Sequence, residues 1–324
     1  MNRKLSGSLP VIPTPFLQDR IDFDSLLRLW EHIFPDLEGC TLCGSTGEAV
    51  SLSLAERKAL MDFAARHVPA DKTLVAGLTH TNLEEMTQLA RHAAGLGLRA
   101  GLVPCPYYFP NTFPMVREFF KALDRASDLD LIIYDNPVYT KTWLRSEEIF
   151  AICDACPHVV GVKITDHDLA KITTLKQRRD LAVFAGDDVL TFRSLLLGVD
   201  GSMIIAPSLL PAAYQEVIGH LHAGDQESAL EVFADGLLPL IHLFGLGDEI
   251  PNTKTLFKEM GLFQSDAVRL PLLACSAQRR AEIMPAYRLC RQRGDARVRR
   301  AQGQAAARHR PARSDARPAA PTAK

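Results

Sequence analysis

The sequence predicts an α/β chain: a (β/α)8 TIM barrel with a C-terminal helical extension. Eight short β-rich runs alternate with helix-period segments over roughly 210 residues, the rhythm of a barrel. No Gly-rich phosphate loop follows the first run, where Pro13-Thr-Pro-Phe16 stands instead, and this argues against an open doubly wound sheet. From Asp225 to Cys290 helical periodicity continues without strands. The expected organisation is therefore a catalytic barrel over residues 1–222, a helical extension packed on it over 223–292, and a structureless Arg/Ala/Pro-rich tail over 293–324.

The expected strands are Leu9–Pro15, Gly39–Ser45, Thr73–Leu78, Ala100–Pro106, Leu129–Asn136, Val159–Thr165, Leu181–Gly186 and Gly201–Ala206. Between them, Asp24–Phe34, Leu54–His67, Leu83–Ala94, Met115–Ala126, Ser146–Ala155 and Leu209–His222 carry apolar residues at helical spacing, as in Met61, Ala64, Ala65 and Val68. Start signals agree. Asp24 and Asn82 precede helical runs, and Ser53 followed by Glu56 has the spacing of a capping box.

Charge and cysteines narrow the class. The formal net charge is −1, but Arg293–Lys324 holds eight Arg and one Lys against two Asp, leaving 28 basic and 36 acidic groups in the rest. That acidic body is no nucleic-acid surface. An odd cysteine count of seven favours reduced thiols and a cytoplasmic protein. Neither an apolar leader nor a run of about 18 apolar residues is present, so no membrane association is expected. The pairs Cys40/Cys43 and Cys153/Cys156 read as buried thiols, because odd spacing on a strand sends the first pair to opposite faces.

Reactive groups in such a barrel gather at the C-terminal ends of its strands. The sixth run, His158-Val-Val-Gly-Val-Lys-Ile-Thr-Asp166, places Lys163 in an apolar strand. Burial strips hydration from an ammonium and favours the neutral amine, the nucleophile that Schiff-base chemistry needs. A lysine that snorkels outward is the bland alternative. After the second strand, Gly44-Ser-Thr-Gly-Glu48 leads towards a helix, where free amides near Ser45 and Thr46 suit a small carboxylate. Tyr134 lies inside the fifth strand, where its hydroxyl needs a partner or serves as an acid/base. Tyr107 and Tyr108 end the fourth strand. Asp187-Asp188 end the seventh and, with no histidine beside them, read as a helix cap for Asp188 and not as a metal site.

Together these motifs, in this order from about Leu9 to Leu289, resemble the dihydrodipicolinate synthase/N-acetylneuraminate lyase family. That resemblance implies a class I aldolase acting on pyruvate or a related 2-oxo acid, with no cofactor beyond a covalent imine on Lys163. It implies Tyr134 as the proton shuttle, linked through Thr46 to Tyr108, which a neighbouring subunit lends; the expected assembly is a dimer or dimer of dimers. Amides around Ser45 and Thr46 would hold the 2-oxo acid carboxylate, and Gly186 and Met203 match positions lining its pocket. One departure matters. Synthases carry an arginine two residues after the proline of the Tyr-x-x-Pro loop, whereas Asn136-Pro-Val-Tyr-Thr-Lys141 has Tyr139 there. Tyrosine cannot form a bidentate charged clamp, unless Lys141 substitutes for one. A lyase on another 2-oxo acid fits the residues better than lysine biosynthesis; a catalytically silent 2-oxo acid sensor is the reading of a different class.

Overall fold

The computed structural model describes residues 4–244 and 248–308. Eight parallel strands form one sheet: β1 (Gly7–Ser8), β2 (Gly39–Leu42), β3 (Thr73–Gly77), β4 (Ala100–Pro104), β5 (Leu131–Asp135), β6 (Val159–Ile164), β7 (Ala182–Ala185) and β8 (Gly201–Ser202). Neighbours in sequence are neighbours in space, β1 pairs with β8, and a bridge between Val11 and Thr41 ties the first strand's continuation to β2. The sheet thus curls into a TIM barrel. β1 lies just before the predicted Leu9–Pro15 and shares no residue with it, and β8 covers only the first two residues of the predicted Gly201–Ala206. Pro10, Pro13 and Pro15 offer no ladder donors, so past Ser8 only single bonds such as Val11 N to Ile204 O persist.

Helices cover the outside: α1 (Phe23–Ile33), α2 (Leu54–His67), α3 (Leu83–Gly95), α4 (Phe113–Asp124), α5 (Ser146–Ala155), α6 (Leu169–Leu175), α7 (Thr191–Leu196) and α8 (Pro211–His222). Ser53 and Glu56 form the expected capping box of α2, and Asn82 caps α3. The cap of α1 is Asp22 and not Asp24, which lies one residue into the helix; Asp22 accepts from the Ser25 amide. Outward strand residues such as Val162 and Ile164 pack under the helices, while Leu9, Val75, Leu102, Ile132, Phe184 and Met203 fill the barrel interior.

Past the barrel come α9 (Gln226–Gly236), α10 (Leu238–Phe244), α11 (Glu249–Glu259) and α12 (Ala277–Arg308). Phe233 and Ile241 pack against Tyr214 and Val217 of α8. The sequence reading ends order near Gln292, yet α12 runs on to Arg308; its Ala, Arg and Gln residues are good helix formers. Arg293 and Arg297 hold it to Asp235 and Glu216. The expectation for 309–324 lies outside the described residues. Among the described residues no helix is long and apolar enough to cross a membrane, and no group of three or more His, Cys, Asp or Glu is placed to hold a metal.

Candidate active site

β5 and β6 set the centre of the site. Tyr134 pairs directly with Lys163 in the ladder, so both side chains point into the barrel. Leu131 pairs with Val159 but Ile132 pairs with Gly161, so β6 carries one extra residue. A one-residue slip would turn Lys163 outward, and the bulge therefore fixes which face the amine occupies. Lys163 is 5% exposed, and its Nζ lies 4.2 Å from the centre of the Tyr134 ring. Among the described residues no carboxylate lies within ion-pair distance of it.

The phenol opposite is well held. Asn136 Nδ2 donates to Tyr134 Oη at 2.8 Å, and Ser45 Oγ lies 3.4 Å from the same oxygen. Burial pushes the phenol up, but the Lys163 charge and hydrogen bonds with Ser45, Asn136 and Thr165 outweigh it and hold Tyr134 below its ordinary value. Such a group both gives and takes a proton at modest cost.

Residues 44–48 form a tight corner beside the cleft. Gly44 sits against Val11, and Gly77 lies so close to the Cys43 carbonyl that a side chain on it would meet backbone. Glu48 N bonds Ser45 O and Ala49 N bonds Gly44 O, which closes a tight turn. The amides of Ser45 and Thr46 have no acceptor among the described residues and are free for a ligand. The helix expected to aim them is absent here: a three-residue turn, Ala49–Ser51, follows, and α2 begins only at Leu54.

The cleft over Lys163 holds about 340 Å³, and Ser45, Thr46, Tyr134, Tyr139, Gly186 and Met203 are among the residues that line it. Gly186 lies against the Ile164 carbonyl and the Thr165 hydroxyl, where a Cβ has no room. Asp188 is a cap, though not of α7. It accepts from Ile205 and Ala206 amides at the turn Ala206–Leu209, and burial pushes it up to about 6 despite those bonds. Thr46 makes no hydrogen bond to Tyr134 among the described residues; Ser45 holds that position. Tyr108 stays outside its own cleft, 84% exposed at φ +85° and edge-on to Phe109. Lys141 is exposed and does not line the cleft.

Sequence reasoning did not single out several residues of the lining, Asn136, Thr165, Phe244 and Glu249 among them. Asn136 and Thr165 immediately follow strands β5 and β6 and were within reach of it, since polar residues at barrel strand ends face the site. Phe244 and Glu249 come from α10 and α11, which no local pattern connects to the barrel mouth. Glu249 accepts from the Tyr139 hydroxyl at 3.5 Å across the cleft.

Set beside known proteins, residues 4–288 match the sequence model of the Dihydrodipicolinate synthetase family. The chain is 30% identical over 286 residues to the 4-hydroxy-tetrahydrodipicolinate synthase of Chlorobium phaeobacteroides, covering 87% of this chain and 95% of that one. It superposes on the pyruvate complex of the chloride-inhibited dihydrodipicolinate synthase of Acinetobacter baumannii with a TM-score of 0.83 and 28% identity, covering 89% of this chain and 99% of that one. For dihydrodipicolinate synthase of Aquifex aeolicus the TM-score is 0.82 at 26% identity, covering 88% of this chain and 99% of that one.

Proposed function

Because the chain belongs to the dihydrodipicolinate synthetase family of class I aldolase-type lyases, we propose that Lys163 condenses with the keto carbon of pyruvate or a related 2-oxo acid. The amine adds to the carbonyl, the carbinolamine loses water, and an iminium remains. Loss of a C3 proton gives an enamine, which attacks an aldehyde; the reverse sequence cleaves the bond. The iminium itself is the electron sink, so this chemistry needs no metal and no further cofactor. Tyr134 moves the protons, and the free amides of Ser45 and Thr46 receive the carboxylate. Gly186 and Met203 wall the pocket.

One observation carries this reading: a buried amine without a carboxylate partner lies against the ring of a phenol that is itself hydrogen-bonded. A silent sensor would have no use for that phenol. Tyr108, exposed beside Phe109, fits a residue lent to a neighbouring copy in a dimer or dimer of dimers, with Thr46 joining it to Tyr134 only there. Seven unpaired thiols fit a reducing, cytoplasmic setting.

The test is borohydride reduction in the presence of pyruvate, followed by peptide mass mapping. A stable adduct on Lys163 is expected, absent from Lys163→Ala. No adduct with any 2-oxo acid, or an adduct on Lys171 or Lys254 instead, rejects the proposal.

A further inference from the structure

The mouth of the cleft differs in charge from its floor. The 2-oxo acid end offers free amides at Ser45 and Thr46 and the Lys163 amine. The far end is built from Val138, Tyr139, Asp187, Phe244 and Glu249, with His167 facing Asp187 at 3.6 Å. Among the described residues lining the cleft, Lys163 is the one Lys or Arg. A polar chain links the two ends. Tyr134 Oη accepts from Asn136 Nδ2 at 2.8 Å, Asn136 Oδ1 accepts from the Tyr139 amide at 3.1 Å, and the Tyr139 hydroxyl donates to Glu249 Oε1. Tyr139 and Glu249 are thereby linked to the proton-shuttling phenol, although they come from elements far apart in the chain.

We infer that Tyr139 and Glu249 set the class of the second substrate: an aldehyde whose far end donates hydrogen bonds or carries positive charge, not one that ends in a carboxylate. The inference rests on the Lys163 chemistry proposed above. A carboxylate entering here would meet Glu249 and Asp187 with no Lys or Arg other than Lys163 to receive it and with His167 already facing Asp187, and like charges placed together are a strong means of rejecting a partner. A hydroxyl would instead donate to Glu249 and accept from Tyr139, replacing the long 3.5 Å bond the two make to each other. The 1,2-diol of a hydroxyaldehyde is the simplest group that does both.

The experiment compares glyceraldehyde with succinate semialdehyde as acceptors for pyruvate, using the full chain in its native assembly. Borohydride trapping with pyruvate alone runs beside it and reads the Lys163 reaction without any acceptor. Glyceraldehyde is expected to be preferred in kcat/KM by about tenfold or more. Glu249→Gln is expected to narrow that ratio, and Tyr139→Arg to reverse it, chiefly through KM for the semialdehyde. Faster turnover of the semialdehyde by the unaltered enzyme, turnover of neither aldehyde, or a ratio that Glu249→Gln leaves unmoved overturns the inference while trapping stays positive. Loss of trapping indicts the Schiff-base reading instead.

Discussion

Among the described residues three lysines are buried, and they differ in what stands beside the amine. Lys254, on α11, meets the equally buried Glu48 carboxylate, donates to Ala267 O at 2.8 Å and lies over the Phe16 ring. Lys171, on α6, reaches Asp135 at 2.8 Å and Asp166 at 2.7 Å. Lys163 has the Tyr134 ring and open cleft, with the buried Asp188 acting on it only from beyond ion-pair distance. The two paired lysines bind elements together: Lys254 joins the helical extension to the turn that carries Ser45 and Thr46, and Lys171 joins α6 to the end of β5. The unpaired one does neither. A chain tolerates a buried, partnerless amine where the amine has a reaction to perform.

The sharpest way to break this contrast is to replace each lysine by methionine. Lys163→Met should lower turnover by about 10⁴-fold or more, since a covalent nucleophile has no substitute, while stability stays within about 1 kcal/mol of the parent. Steady-state rates and urea melts on the same sample read both quantities. A melt that collapses would make Lys163 a structural lysine like the others.

Lys254→Met should do the opposite to stability. It strands the Glu48 carboxylate, fully enclosed and left with the Arg269 amide at 2.8 Å, at a cost of about 3–5 kcal/mol. Adding Glu48→Gln should recover part of the loss. Glu48 adopts φ +55° in the turn after Gly47, so loosening it should also raise KM for the 2-oxo acid more than it lowers kcat. An undisturbed KM would show that the extension and the carboxylate corner are independent.

For Lys171→Met the informative axis is pH. Burial already raises Asp135 above its usual 3.8, against the pull of Lys171. Without the ammonium it should rise further, so the folded state keeps a proton that the unfolded chain releases. Stability then falls as pH increases from about 4 upward, and the gap to the parent protein widens toward neutrality and closes in acid. We expect a smaller cost than for Lys254→Met, because Asp135 can take up a proton and Asp166 still touches water. A gap of constant size across pH would mean that packing, not charge, is what Lys171 supplies.

These contrasts also mark what the sequence could disclose. Lys163 was legible because an apolar strand makes a lysine conspicuous, and Tyr134 because a hydroxyl inside such a strand needs a partner; that the two work together came from the family resemblance, and their level pairing from the structure. Gly44 was singled out as a turn glycine and Gly186 only through the family resemblance; that a Cβ at either has no room is visible in the structure alone. The Lys254–Glu48 pair was not, since a lysine on an amphipathic helix reads as solvated until its carboxylate partner, some 200 residues earlier, is known. Glu249 was hidden likewise, and the extra residue in β6 has no composition cue at all. Long-range pairing is a property of the fold and leaves little trace in any window of ten residues.

The smallest expected effect tests whether burial, rather than pairing as such, separates these lysines. Glu56 bonds Arg269 Nη2 at 2.6 Å, but both side chains retain contact with solvent, 28% and 18% exposed. The Arg269 bond, with the help of Ser53, holds Glu56 down to about 2 from its usual 4.5. A carboxylate held low contributes stability above the unfolded value and loses it as pH falls through the folded one, here between about 4.5 and 2. Glu56→Gln keeps the Ser53 capping geometry and removes the charge. It should cost about 1 kcal/mol or less above pH 5, because water and salt screen such a pair, and the difference from the parent should shrink to nothing on acidification. Thermal melts at a series of pH values and two salt concentrations measure it. If Glu56→Gln costs as much as Lys254→Met, ion pairing alone decides the energy, and the isolation of Lys163 loses its meaning as a signature of chemistry.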